Sequence, residues 1–524
     1  MRVWSVILLL VLAVLLPATV PALSVLPPEQ PGPGSFNFQL VGHDPLDNRG
    51  MNAAPAFYDA PDGHSYMYVG SRTDGRPDHP HPGILVVDVT NPAAPHVVGE
   101  IGAPNEALVG MTSRELRVWP QQGLLIVMNF ACSSEIHGCT GGDTVGVNGV
   151  NFEPANFRFF DVRADPVNPP LVDKWVSVDA AGVRRTPHEM FLWVDPANDT
   201  TRALMYITTP GAGAAVGLVI ADISHVRDGV VTVAGDWGAQ RDSGLTEDPF
   251  TPLIWAPDVQ FPQPVWDEIG GDRAILHSMS VTPDGKVGHL AYYGAGYFAI
   301  DTSDFANNVP SPHVRLLTPI ANRVDYSPSL PPETHSAVKV PGKDVVMLTD
   351  EVYPFIPGLI PDGGCPWGWV HFVDIRDIAH PQLVGEYKTA FNDPSFCDGL
   401  GQAPLVSFTS HNPTLLPHVA LVTWHSAGLQ AFAPDPSDPQ QLGVFNPQPL
   451  PVVATEDPAL NGPLGLITMW SYPIIHHGLI YVVDLRNGLY VLKYTGPHAG
   501  EVSDVSFLEG NSNLGDALRL DSDS

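Results

Sequence analysis

The sequence predicts an all-β chain folded as a single seven-bladed β-propeller, and three observations point to it. Proline (55 residues) and glycine (49) interrupt any helical run at short intervals, which favours many short strands joined by turns. One strand motif recurs seven times along the chain. A second set of polar motifs, most of them centred on histidine, recurs in register with the first. The composition agrees, since 44% hydrophobic and 15% charged residues describe a globular chain with a core to bury. A formal net charge of −31 disfavours nucleic acid and anionic membrane surfaces as partners, because either would repel it.

The chain opens with an address. Met1-Arg2 supplies a short positive region, residues 6–16 are an unbroken apolar run, and Ala22-Leu23-Ser24 offers a cleavage site. The run is short for a membrane span and polar, proline-rich sequence follows it. Residues 1–24 therefore read as a secretory signal peptide, with an uncleaved anchor as the other reading. The protein is expected to be secreted, periplasmic or on a cell surface, with no membrane span after cleavage.

Residues 35–497 hold the repeat. Its clearest copies are Ile84-Leu-Val-Val-Asp88 and Val370-His-Phe-Val-Asp374, each followed by a strand containing Val-Gly-Glu. Weaker copies begin at Phe157, Gly217, Gly296, Gly428 and Gly488. These are β-branched or aromatic strands, and most end in an Asp that can bond its own turn. Another apolar strand precedes them, such as Leu124-Leu-Ile-Val127 or Val345-Val-Met-Leu348. Four-stranded units repeated around an axis make a propeller.

In the residues 84–88 and Val219-Ile-Ala-Asp222 the strand resembles the LVIVD-repeat family of propellers. The resemblance implies the architecture of nearly the whole mature chain and little about its chemistry. The seventh copy has no outer strand after it, whereas Phe38-Gln-Leu-Val-Gly42 matches Pro381-Gln-Leu-Val-Gly385, an outer strand elsewhere. An N-terminal strand is thus expected to complete the last blade and join the ends of the ring. Residues 498–524, with six acidic residues and one arginine, are expected to form a disordered acidic tail.

The start of each innermost strand concentrates the chemistry. Thr112-Ser-Arg-Glu115, Thr186-Pro-His-Glu189, Ile275-Leu-His-Ser278, Glu333-Thr-His-Ser336 and Thr409-Ser-His-Asn412 align with one another. Arg114, His188, His277, His335 and His411 then occupy equivalent positions in blades two to six. Innermost strands surround the axis, so four imidazoles could converge on one transition metal, Cu or Fe ahead of Zn. On the other reading histidine opens the inner strand structurally, or lines a metal-free substrate ring. Arg114 would repel a metal at close range but suits an anionic ligand beside one. Glu333, two residues before His335 on the same face, is a candidate second-layer acceptor for an imidazole N–H.

Ends of second strands add Arg72, Asp350, Glu351 and His425 to the same mouth as candidate substrate-binding residues, with solvated turn residues as the plain alternative. The insertions at 131–156, 239–274, 352–368 and 389–408 belong to connections on that face, and Trp255, Trp266, Trp367 and Trp369 suit an ordered lid. Cys132 with Cys139, and Cys365 with Cys397, are expected as disulfides, which export permits; four metal-binding thiols are the alternative.

The chain has no phosphate-binding loop, His-Glu-x-x-His helix or Gly-x-Ser-x-Gly elbow. Two functional readings stand. One is a metal-dependent oxidoreductase acting on a small molecule, with His188, His277, His335 and His411 on the ion. Its plan resembles the carotenoid-cleaving oxygenases, which set four axial histidines on iron in a seven-bladed propeller. It is distantly similar to the selenium-binding proteins, the methanethiol oxidases, which are associated with copper; their Cys-Ser-Ser-Cys element is Cys132-Ser-Ser-Glu135 here. The other reading is a non-enzymatic extracellular binding or adhesion propeller for a protein or glycan, with structural axial histidines.

Overall fold

The computed structural model describes residues 34–73, 79–102, 111–131, 156–209, 216–243, 275–324, 326, 333–352, 368–396, 408–457 and 467–522. Strand β1 (Phe38–Asp44) precedes blade one, which comprises β2 (Asn52–Asp59), β3 (Ser65–Ser71), β4 (Ile84–Asp88) and β5 (His96–Ile101). Blade two is β6 (Met111–Trp119), β7 (Leu124–Ala131), β8 (Asn156–Asp161) and β9 (Leu171–Trp175). Blade three is β10 (Glu189–Val194), β11 (Ala203–Thr208), β12 (Leu218–Asp222) and β13 (Thr232–Trp237). Blade four is β14 (Ile275–Val281), β15 (Val287–Tyr293), β16 (Gly296–Asp301) and β17 (Arg315–Leu316). Blade five is β18 (Thr334–Lys339), β19 (Val345–Asp350), β20 (Val370–Asp374) and β21 (Gln382–Tyr387). Blade six is β22 (Pro413–Leu415), β23 (Ala420–Thr423), β24 (Leu429–Phe432) and β25 (Gln441–Phe445). Blade seven is β26 (Ile474–His476), β27 (Leu479–Asp484) and β28 (Gly488–Tyr494), joined by β1 and by β29 (Phe507–Glu509).

Each blade is an antiparallel meander, and the core lies between the faces of neighbouring blades. Tyr58, Tyr68 and Val86 of blade one pack with Leu116, Leu125 and Val127 of blade two. Ile126 and Phe159 pack in turn with Leu192 and Val219 of blade three. Inner strands are covered on both faces, so β10 is buried at every position, whereas the outermost β5 is partly exposed at most of its residues. The Asp that closes the third strand caps the following turn, as its sequence position suggests. Asp88 accepts from the Thr90 N–H at 2.8 Å, Asp222 from Ser224 at 2.9 Å, Asp301 from Ser303 at 2.8 Å and Asp374 from Arg376 at 2.9 Å.

The ring closes with the expected N-terminal strand. β1 pairs antiparallel with β28, setting Phe38 opposite Tyr494 and Leu40 opposite Leu492. The chain thus fastens its first strand to its last blade, and no unpaired β28 edge remains there.

Residues 499–522 correct the expectation of a disordered tail. They form a helix (Ala499–Ser503), then β29, then a second helix (Ala517–Ser522). β29 pairs with the inner face of blade seven, Ile474 opposite Glu509. The chain next crosses to blade three, where Asn511 O accepts from Leu192 N–H at 3.1 Å and the Asn513 side chain bonds both N–H and C=O of Val194 at 2.8 Å. The acidic composition masked this. Val502, Val505 and Leu508 are interspersed among the carboxylates and bury in the blade-six/blade-seven core, while Asp521 pairs with Lys339 and Asp516 with Arg519. The segment spans the axis at the end away from the strand starts.

The expected signal peptide, all four cysteines, and Trp255, Trp266 and Trp367 lie outside the described residues.

Phe38 carries the test of ring closure. It is buried against Tyr494, with ring centroids 5.3 Å apart. Phe38→Ala should lower unfolding free energy by roughly 3 kcal/mol. The check is a urea midpoint that falls while the transition slope is unchanged.

Candidate metal centre

The five aligned residues share one backbone device. At the start of β6, β14 and β18 the register slips by one, and the extra residues are Arg114, His277 and His335. His188 and His411 repeat it: each donates its N–H to the carbonyl of the threonine ending the second strand, Thr208 and Thr423, at 2.9 Å. A two-on-one bulge turns its extra side chain out of the pleat, here towards the axis. The bulges are tied from blade to blade. Thr208 Oγ1 donates to His277 O at 2.7 Å, Ser278 Oγ to His335 O, and Thr349 Oγ1 to His411 O.

The imidazoles form a continuous arc. Ring centroids lie 4.4 Å apart for His188 and His277, 4.0 Å for His277 and His335, and 3.8 Å for His335 and His411. His425 extends the arc, 4.8 Å from His411. All five rings are buried, as is Glu351. His188 Nε2 and His277 Nε2 stand 2.8 Å apart, one donating to the other.

Glu351 lies within this arc. Its Oε1 is 3.0 Å from His411 Nε2 and 3.2 Å from His425 Nε2, and its Oε2 is 3.7 Å from His335 Nε2. Tyr293 O–H donates to Oε2 at 2.7 Å. Tautomers follow from the far side of each ring. His411 Nδ1 faces the Trp470 carbonyl, which can only accept, so Nδ1 carries a proton. Asn412 Nδ2 donates to that same carbonyl at 2.8 Å, which leaves Asn412 Oδ1 to accept from Ser336 Oγ at 3.2 Å. Ser336 then accepts from His335 Nδ1 at 2.8 Å. Two imidazole Nε2 atoms thus lie beside the two oxygens of one carboxylate, at 3.0 and 3.7 Å.

Burial sets the charges. It pushes His277 down to about 3 and His425 to about 4, and holds His188 and His335 well below the usual imidazole range. Burial alone would raise Glu351, but His411 and His335 outweigh it and hold the carboxyl well below its usual range. The result is several neutral nitrogen donors around one carboxylate, a donor set that could hold a metal.

The arc corrects the expectation of four histidines on one ion. Ligand atoms lie within 4.8 Å of one another in three overlapping sets: His188, Glu189 and His277; His277, His335 and Glu351; Glu351, His411 and His425. Among the described residues no set holds all four, because side chains strung along adjacent blades leave the ends of the arc too far apart.

Glu351 and His425, expected at the mouth as substrate-binding residues, belong to the arc. Asp350, expected beside them, points the other way: neighbours on a strand alternate faces. It is buried against Tyr326 and stands 3.4 Å from His371 Nδ1. Glu333 is half-buried, and its backbone carbonyl accepts from Glu351 N–H at 3.0 Å, while the carboxylate that meets the imidazoles is that of Glu351. Arg72 and Arg114 both lie against Trp470. Their guanidinium carbons lie 4.9 and 5.4 Å from the Trp470 ring, and Arg72 meets Asp457 at 3.3 Å. Sequence reading missed Glu189, Tyr293 and Asp457. Tyr293 ends the second strand of blade four and is equivalent by register to Glu351 in blade five, since Tyr292 and Asp350 both lie opposite the residue before the bulge, so register could have flagged it.

The fold and site define a seven-bladed β-propeller with a histidine- and carboxylate-lined inner rim. No protein-family model matches the chain, and no curated protein matches it. Solved structures similar in fold include Saccharomyces cerevisiae Sqt1, at 7% identity and a TM-score of 0.42, covering 87% of this chain and 98% of that one. The periplasmic gluconolactonase PpgL of Pseudomonas aeruginosa aligns at 11% identity and a TM-score of 0.40, covering 84% and 98%. The Myceliophteria thermophila Cps50 (Swd1) β-propeller domain aligns at 7% and 0.39, covering 87% and 98%. Likeness at this level carries nothing about chemistry.

The depressed imidazoles have a consequence in metal-free protein. Between about pH 4 and 6.5 the unfolded chain binds more protons than the folded one, so stability is full above pH 6.5 and falls as pH falls. Each such histidine should contribute a slope of roughly 1.4 kcal/mol per pH unit. Urea midpoints at pH 7, 6 and 5 in the presence of chelator should drop in that order, and His277→Ala should flatten the series.

Proposed function

We propose that the protein is an exported propeller of the LVIVD-repeat type that binds a transition metal on its inner rim and uses it for oxidoreductase chemistry on a small anionic molecule. One observation supports this above the rest: the Nε2 atoms of His335, His411 and His425 gather around the buried carboxylate of Glu351, whose Oε1 has no hydrogen bond of proper geometry. A cation among them would satisfy carboxylate and imidazoles together. His277, His335 and Glu351 together make a two-histidine, one-carboxylate set of the kind that leaves positions open on iron. Copper and iron suit redox work, and zinc, which has no redox chemistry, ranks behind them.

Arg72 and Arg114 support the anionic substrate. Both are buried beside Trp470, and their charge reaches His425 and His277 respectively. A carboxylate-bearing molecule could rest on them with its reacting end towards the metal. Export follows from the leader at residues 1–24, and pairs Cys132–Cys139 and Cys365–Cys397 as disulfides suit that setting. The second reading, an extracellular binding or adhesion propeller for a protein or glycan, is favoured by the His188–His277 hydrogen bond, which pairs the Nε2 atoms of two imidazoles without metal.

Elemental analysis separates the two. Protein purified without chelator should carry at least one Cu or Fe per chain, and His277→Ala/His335→Ala should lose the ion that those two residues hold while keeping its circular dichroism. Metal far below one equivalent after reconstitution with Cu and with Fe would leave the binding-propeller reading in place.

A further inference from the structure

We infer that the inner rim holds two metal ions, with Glu351 as the bridge between them; this rests on the metal reading above. The two oxygens of Glu351 address different histidines. Oε2 lies nearest His335, whose set also holds His277, and Oε1 lies nearest His411 and His425. The two sets share no other residue. Donor atoms bound to one ion at about 2.0–2.2 Å lie about 3–4 Å from each other, and the separations of 3.7, 3.0 and 3.2 Å match that. The contacts at Oε1 are short but off the hydrogen-bond line, so that buried oxygen has no hydrogen bond of proper geometry. A carboxylate that offers one oxygen to each of two ions sets them about 3.5–4 Å apart, the separation of two-metal sites.

His425 makes the second position. It follows the end of β23 just as Glu351 follows β19, and it holds a left-handed backbone at φ 34°, rare for a non-glycine residue. That conformation brings its Nε2 to the same oxygen that His411 approaches. A single ion in the first set would leave His411 and His425 gathered at Oε1 with no ion between them.

The test counts metal in the full chain after loading with Cu(II). Two exposed sets, His418/His498/Glu501 and Asp59/His476/His477, could take up ions of their own, so counting is done in a His418→Ala/His477→Ala background. The expected result is two Cu per chain with a weak, spin-coupled EPR signal. His425→Ala should reduce the count to one and restore a full mononuclear signal. His425→Asn, which tolerates the left-handed backbone, should do the same if His425→Ala folds poorly. One Cu per chain with a mononuclear signal, or two that persist in both His425 variants, would overturn the bridge and leave the proposed function standing. No bound copper, and none after loading with iron, would overturn both.

Discussion

The two-on-one bulge at the head of each inner strand is the constraint on which the site depends. A regular strand sends alternate side chains into the interblade core, and an imidazole there would sit among residues such as Phe159 and Leu192. The extra residue escapes that alternation without disturbing the strand behind it. Its carbonyl is then held by a hydroxyl of the preceding blade, as in Thr208 to His277 and Thr349 to His411. Each tie fixes the position of one blade's functional residue relative to the last. The spacing of the arc, 3.8–4.4 Å between successive ring centroids, is therefore a property of the blade-to-blade angle and not of any single loop.

Closure protects that angle. Tension at any blade boundary would open the arc, and two segments from opposite ends of the chain resist it. β1 completes blade seven from outside, and β29 adds to the same blade from the axial side. The segment after β29 then braces blade seven against blade three through Asn511 and Asn513. Buried carboxyl groups lie on this inner surface, among them Glu189 and Glu509, both raised first by burial. Arg117, 3.1 Å from Glu115, offsets part of that charge. Burying these charged groups is costly in stability.

Much of this was legible in sequence because repetition supplies its own alignment. The recurring strand around Ile84–Asp88 and Val370–Asp374 set the blade count, and aligning blades by it put His188, His277, His335 and His411 in register before any coordinates. The N-terminal closing strand was readable from one pair of matching pentapeptides. What could not be read was direction and distance. Asp350 and Glu351 are adjacent and chemically alike, and only the end of β19 decides which of them faces the axis. Equivalent positions on a wheel also do not imply a common point, so the arc of overlapping sets replaced a single four-histidine centre. The tail was misread from charge, since its apolar residues gain their partners from blades six and seven, hundreds of residues away for some of them.

The hydrogen-bond pattern behind the rings argues against a purely structural role for the arc. A structural histidine is content when each nitrogen has a complementary partner, whereas His188 and His277 pair only their Nε2 atoms and leave His277 Nδ1 buried without a hydrogen bond. His335 and His411 commit their Nδ1 protons to Ser336 and to the Trp470 carbonyl, and their Nε2 atoms lie beside Glu351. One proton taken up from solvent could relieve the contact at His411, forming an imidazolium beside the carboxylate. It would not relieve the contact at His335 on the other oxygen, nor use His425. A second proton would bury further positive charge near Arg114, whose charge already weighs against protonation of His188 and His277. Metal ions meet all of these donors at once, because an ion accepts lone pairs from imidazole and carboxylate alike and asks for no proton. Ser336 and the Trp470 carbonyl fix the backs of the His335 and His411 rings, an arrangement that could hold a metal at their fronts.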